Sequence, residues 1–221
     1  MRFKITAVLA FCILLTGCSL NVEVTDSSEA AAESQTAEVQ TQVQPDDDGG
    51  YAGSQTAAFL ARIDKHDFSM KLRSQQSGGS EVIEEIEVCG DVMRDAYKTP
   101  EGKLTAEMYI VGGNVWSVIS EGGDKPVCIG KDEQFTEHVR ESVFHCIFVD
   151  EADKFGGADG DTERINGPSE NMEFLFTYGA GGQLKSYDAG GTHYEVIEYV
   201  EGIGEVTLPD ALKAEIEKGQ Q

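Results

Sequence analysis

The chain has 221 residues, with 17 Lys and Arg against 40 Asp and Glu, for a formal net charge of −23. That length allows one domain with a sizeable core plus additional segments. The charge argues against nucleic acid or anionic lipid headgroups as primary partners, since both carry the same sign.

Arg2 and Lys4 precede an apolar run over residues 5–15, broken only by Thr6, which leads to Leu15-Thr16-Gly17-Cys18. The run is too short to span a bilayer, which takes roughly 20 residues. A small residue directly before a cysteine at the end of such a run resembles the lipobox of bacterial lipoprotein precursors. The resemblance implies a signal peptide over residues 1–17 and a diacylglycerol on the Cys18 thiol. It further implies cleavage before Cys18 and a lipid anchor, palmitate among its acyl chains. The expected location is extracytoplasmic, tied to a bacterial membrane at the cell surface or facing the periplasm. Two acyl chains suffice for stable anchoring, whereas one is marginal at about 0.8 kcal/mol per buried methylene. Ser19 is not aspartate, so the simple inner-membrane retention signal of bacteria with two membranes is absent.

From Ser19 to Thr56 the chain is dominated by Ser, Thr, Ala, Gln, Glu and Asp, with no Lys or Arg, and it closes on Pro45-Asp46-Asp47-Asp48-Gly49-Gly50. Such a composition cannot bury enough surface to offset its chain entropy, and the expectation is a disordered acidic linker over residues 18–56. A flexible coil of about 38 residues spans roughly 35 Å. Of the five cysteines, Cys12 leaves with the signal and Cys18 is acylated, which leaves Cys89, Cys128 and Cys146. Outside the cytoplasm, one disulfide plus one buried thiol fits that odd number. Cys128 and Cys146 are the preferred pair, closing a loop that would contribute roughly 3 kcal/mol; three buried thiols are the alternative.

Residues 57–221 read as a single domain. A short helix is expected over residues 56–65, capped by Thr56, with Phe59, Leu60 and Ile63 on one face. The period then changes to two: Phe68, Met70 and Leu72 alternate with Asp67, Ser69, Lys71 and Arg73. Residues 81–89 continue as a strand with Val82, Ile86 and Val88 on one face, and Gly90 marks a break. Strands follow over residues 91–98, 104–110, 115–120 and 126–129, separated by Thr99-Pro100-Glu101-Gly102, Gly112-Gly113-Asn114 and Glu121-Gly122-Gly123-Asp124. Consecutive strands joined by tight turns predict an antiparallel meander. Residues 131–145 look helical, with Phe135, Val139 and Val143 spaced by four. The apolar run 143–149, interrupted by His145, is either the buried end of that helix or a core strand. Residues 150–169 are polar and Gly-rich and read as a loop. Met172, Phe174, Phe176 and Tyr178 open a second meander, followed by strands over 184–188 and 192–200 and a short one at Val206 and Leu208. Pro209 starts a terminal helix over 210–218. The expected fold class is α+β: a curved antiparallel sheet, half-barrel-like, covered by helices.

This order resembles the LolA/LppX-like class of bacterial lipoproteins and lipoprotein carriers. The stretches that carry the resemblance are Phe68-Ser69-Met70-Lys71-Leu72 after an N-terminal helix, and Met108 to Val118 through Gly112-Gly113-Asn114. Gln183-Leu184-Lys185-Ser186-Tyr187 and Val206-Thr207-Leu208-Pro209 complete it. The resemblance implies an apolar-ligand cavity between sheet and helices, with Phe68, Met70, Met108, Trp116, Phe174 and Phe176 as candidate lining. Core packing explains the same residues. The acidic linker and Cys18 depart from the soluble carriers of that class.

His138, Glu141, His145 and Cys146 lack any metal-binding spacing and read as a solvated helix face plus one apolar-side histidine. Asp150, Glu151, Asp153, Asp159, Asp161 and Glu163 lack the calcium-loop spacing and read as a solvated loop, with a Ca²⁺-dependent module as a third hypothesis. No nucleophile elbow, P-loop or Rossmann glycine pattern occurs, so neither an enzyme nor a cofactor is expected. The function expected is that of a membrane-anchored lipoprotein that binds a lipid or other apolar ligand. The alternative is a structural or interaction lipoprotein with a filled core, acting on protein partners through its outer surface.

Overall fold

The computed structural model describes residues 50–75, 79–118, 125–169 and 171–219. Cys18, the lipobox and most of the linker lie outside the described residues. Helix α1 spans Gln55–Ile63. Its cap is Ser54 rather than Thr56: Ser54 Oγ accepts from the Ala57 N–H at 3.0 Å. Thr56 instead points inward, fully buried, with its hydroxyl 2.7 Å from Tyr178 Oη. Phe59, Leu60 and Ile63 form the buried face, as their spacing predicts.

The first meander follows as β1 (Asp67–Gln75), β2 (Glu81–Cys89), β3 (Val92–Lys98), β4 (Leu104–Val111), β5 (Asn114–Ser117) and β6 (Val127–Lys131). Helix α2 covers Phe135–Phe144. A second meander then runs β7 (Phe155–Asp159), β8 (Thr162–Asn166), β9 (Glu173–Tyr178), β10 (Leu184–Ala189) and β11 (Thr192–Glu201), and α3 spans Asp210–Gly219. The two-residue turns β4–β5 and β10–β11 each place two consecutive glycines at positive φ, +56° and +71° at Gly112 and Gly113 and +57° and +78° at Gly190 and Gly191. That is the geometry that lets a two-residue hairpin follow the strand twist.

The eleven strands of the described residues belong to one sheet, in the order β6-β5-β4-β3-β2-β1-β11-β10-β9-β8-β7. Every pairing is antiparallel, and the two meanders join where β1 pairs with β11, Phe68 opposite Glu201 and Met70 opposite Tyr199. The expected α+β half-barrel covered by helices is therefore corrected to a sheet-dominated fold. Among the described residues it is one large open antiparallel sheet carrying three short α-helices of nine, ten and ten residues. Two features account for the difference. The supposed loop 150–169 contains the hairpin β7–β8, which extends the sheet. The terminal helix α3 buries fully only Leu212 and covers little. Val206 and Leu208 form no strand.

The core lies on one face of the sheet. Phe68, Met70 and Leu72 from β1, Ile86 and Val88 from β2, Met93 from β3 and Phe174, Phe176 and Tyr178 from β9 meet Phe59 and Ile63 of α1 and Val139, Val143 and Phe144 of α2. The apolar run 143–149 is neither a helix end throughout nor a strand. The helix stops at Phe144, and His145 takes a left-handed conformation at φ +49° as its C-cap. Cys146 and Val149 then turn into the core while Ile147 stands 60% exposed.

Candidate functional site

The residues proposed to line an apolar cavity are mostly interior. Phe68 and Phe176 are fully buried and Met70 and Phe174 are 2% and 3% exposed, all in the continuous core. Phe176 packs edge-on against Phe144 at 5.6 Å. Met108 is half-buried at the margin of the core. Trp116 is half-buried and sits opposite Tyr109 in the register of β4 and β5; its indole N–H is buried with no acceptor among the described residues. The structure thus brings four of the six together as packing, leaves Met108 at the margin of the core, and places Trp116 on the opposite face of the sheet, in the row of Tyr109 and Arg94.

Cys89, Cys128 and Cys146 are all free thiols. Cys128 is exposed on β6, whereas Cys146 is buried in the core, so the expected pair is not joined. Burial pushes the Cys146 thiol up to about 11. His138 stands 3.4 Å from Asp132, apart from His145, and no group of three or more potential metal ligands exists among the described residues. The acidic 150–163 stretch does not converge either. Glu163 leaves it altogether: its carboxylate accepts from the Gln55 and Thr56 N–H groups at 2.7 and 2.8 Å, at the N-terminus of α1. There it satisfies two donors that a helix cannot satisfy itself and meets the positive end of the dipole.

The sheet's inner face holds a polar cluster that the sequence reading missed. On β2, Glu84 lies in phase with Val82, Ile86 and Val88 and is 4% exposed. On β3, Asp95 is in phase with Met93 and Tyr97 and is likewise 4% exposed. Cross-strand register sets Glu84 opposite Tyr97 and Asp95 opposite Ile86, which makes the two carboxyls diagonal neighbours on one face. Tyr97 donates to Glu84 Oε1 at 3.0 Å, with Asp95 Oδ2 at 3.4 Å from the same hydroxyl. His145 enters from the end of α2. Its Nε2 stands 3.3 Å from Glu84 Oε2 and its Nδ1 2.6 Å from Tyr187 Oη on β10. The ring stacks on Tyr194 of β11 at 4.1 Å, and Tyr194 stacks on Tyr187 at 4.7 Å.

A carboxylate only accepts, so a neutral His145 carries its proton on Nε2, and Nδ1 accepts from Tyr187. Burial raises the Asp95 pKa well above the ordinary carboxylate range, and the adjacent Glu84 charge and hydrogen bond raise it further, against smaller opposing effects of Tyr97 and Arg94. The order carboxylate, imidazole, hydroxyl has the polarity of a nucleophile-activating triad. Tyr187 is nevertheless only 1% exposed, and burial, then Glu84, pushes its pKa well above the ordinary value. A hydroxyl so enclosed and so firmly protonated ties elements together rather than attacking a substrate. The signal for this cluster was two acidic residues in phase with apolar strand faces, together with a histidine inside an apolar run.

The opposite face carries a charge ladder. Arg94 on β3 contacts Glu107 at 2.7 Å, Glu87 at 3.4 Å and Glu85 at 3.5 Å, and Lys98 also pairs with Glu85. Beside it a depression of about 190 Å³ is lined by Ser69, Lys71, Glu85 and Glu198 among others. A second, of about 70 Å³, lies between α2 and residues 146–150, with Arg140, Cys146 and Ile147 on its wall. No described helix is long and apolar enough to cross a membrane.

No protein-family profile matches the sequence, and no curated protein matches it. Among solved structures, the chain is similar to an uncharacterized conserved protein from Thermus thermophilus, at 8% identity and a TM-score of 0.41, over 72% of this chain and 92% of that one. A likeness so remote carries no argument about activity.

Proposed function

We propose that this chain is a non-enzymatic lipoprotein of the bacterial cell envelope, anchored through Cys18. In this reading an acidic linker joins the anchor to a folded unit that acts through its outer surface on protein partners. The observation that carries it is the filled interior: Phe68, Met70, Phe174 and Phe176 are 0–3% exposed and packed against α1 and α2. Sites for small apolar ligands usually enclose about 300–1,000 Å³ of mostly apolar wall. The two depressions described above are smaller and bordered by charged side chains. The anchoring half of the proposal rests on Leu15-Thr16-Gly17-Cys18 after a charged and then apolar start.

Native mass spectrometry of the full chain, extracted from membranes, tests both halves. The expected result is the mass of residues 18–221 plus covalent acyl groups, with no second lipid retained. A stoichiometric non-covalent lipid that survives extraction would replace this reading with the apolar-ligand one. Cys18→Ser is expected to abolish acylation and membrane retention; retention without change would remove the anchor. Crosslinking in the native envelope is expected to trap a specific protein.

A further inference from the structure

The open sheet ends on two edge strands, β6 and β7, and they would meet an incoming strand differently. An unpaired edge presents a row of N–H and C=O groups to any other chain, and proteins blunt it with charge, proline or a bulge. Both edges carry a bulge, at Gly156 on β7 and at Ile129 on β6. β7 adds a second glycine, at φ +101°, and a terminal Asp159, with Asp153 and Asp161 flanking the strand. β6 reads Val127-Cys128-Ile129-Gly130-Lys131, without an acid, and Pro126 stands before the strand rather than in it. Val127 and Ile129 are 54% and 51% exposed, and no described strand lies beyond them.

Charge decides what fits this edge. Residues 125–131 carry two lysines and no carboxylate, in a chain with 40 acidic and 17 basic residues. Another acidic chain can approach here without acid facing acid. Antiparallel self-pairing sets the start of one strand against the end of the other. Lys125 precedes β6 and is 75% exposed, with Glu215 of its own chain at 3.7 Å. Glu133 follows β6 and is also exposed. Self-pairing therefore offers Lys125 of each copy a carboxylate on the other. The same operation on β7 would set Asp153 against Asp159 and Asp161. The chain also enters the folded unit beside β7: Tyr51 donates to the Val149 carbonyl at 2.6 Å, and its ring meets Phe155 at 6.0 Å. β6 stands at the opposite end of the strand order.

We infer that β6 is a self-pairing edge: two copies of this chain align β6 antiparallel about a two-fold axis, so that the sheet continues from one copy into the next and Val127 and Ile129 are covered. Such a contact uses the same surface on both copies and closes at two. With five residues of edge per copy it is a small interface, so association depends on concentration. It goes beyond the partner surface proposed above and does not depend on the anchor.

Native mass spectrometry and hydrogen exchange of the full chain in non-ionic detergent, from about 1 to 100 μM, test it in the affinity range of a small interface. Reductant is kept present so that the exposed Cys128 cannot link copies. The expected result is a monomer–dimer equilibrium in which exchange at residues 127–131 slows as concentration rises, while residues 155–159 are unchanged. Ile129→Lys and Val127→Lys lie at half-exposed positions that the fold tolerates. Each is expected to weaken dimerisation by about tenfold or more, because the axis brings the added charge of both copies to one seam. Association through acyl chains or the micelle would not respond to either variant. A monomer throughout, protection at 155–159 instead, growth beyond two copies, or a dimer indifferent to both variants would each overturn the inference.

Discussion

Glu163 and Glu84 sit on the same inner face at nearly the same burial, 3% and 4% exposed, and are stabilised in opposite ways. Glu163 reaches a helix N-terminus and spends both oxygens on backbone N–H groups, so its charge is an asset. Glu84 faces a second acid and a histidine. Burial alone therefore does not say whether a carboxylate stays charged; the donors around it do. One carboxylate is held by a complete set of donors, whereas burial and its acidic neighbour favour the protonated form of Asp95 beside the other.

The sharpest way to break this comparison is Glu163→Ala. Two charge-assisted hydrogen bonds disappear and two buried N–H groups lose their acceptor, for an expected loss of about 3 kcal/mol in urea unfolding. A loss under about 1 kcal/mol would mean that water replaces the carboxylate and that the two ends are alike. Asp95→Asn comes next, and its sign is opposite to ordinary acid behaviour. The folded pKa of Asp95 lies above its unfolded value, so the folded chain binds the extra proton. Stability is then fully present below about pH 4 and declines as pH rises toward and through the raised folded value. Urea midpoints at pH 5 and pH 8 should show wild type losing more than about 1 kcal/mol relative to Asp95→Asn, since a tenfold change in proton affinity corresponds to about 1.4 kcal/mol.

A smaller effect separates strain from contacts at His145. Both His145→Ala and His145→Gly remove the ring, but only glycine relaxes φ +49°. The glycine variant should be the more stable of the two by about 1 kcal/mol, and equal melting temperatures would deny the strain. At the bottom of the scale, Arg73 and Glu195 pair at 2.6 Å across β1 and β11 but are 44% and 50% exposed. Arg73→Ala should leave the urea midpoint unchanged within error, because exposed pairs are screened by solvent.

Strands with alternating residues were legible from sequence. The period-two pattern at Phe68, Met70 and Leu72 places β1, and the glycine pairs place the hairpins. The hairpin β7–β8 was not legible, and the reason lies in Glu163. The inward positions of β8 are Glu163 and Ile165, so half of its buried pattern is charged and the strand reads as loop. Its burial is made tolerable by α1, 107 residues earlier in the chain, which no local window contains. Those two strands extend the sheet beyond what the helices α1, α2 and α3 cover. Glu84 and Asp95 were visible as acids in phase with apolar neighbours. Their significance needed the cross-strand register, which sequence periodicity does not supply.

The pairing of β1 with β11 also governs when the molecule can fold. The central seam joins residues 68–74 to residues 194–201, so the two meanders cannot close on each other until nearly the whole chain is present. Contacts of such sequence separation make folding slow, because loop entropy is lost before the pairing compensates. During synthesis the first meander has its strands but no second half to complete the core. The seam therefore makes closure of the core depend on the last strand of the sheet, so that truncation before β11 would leave β1 with an unpaired edge.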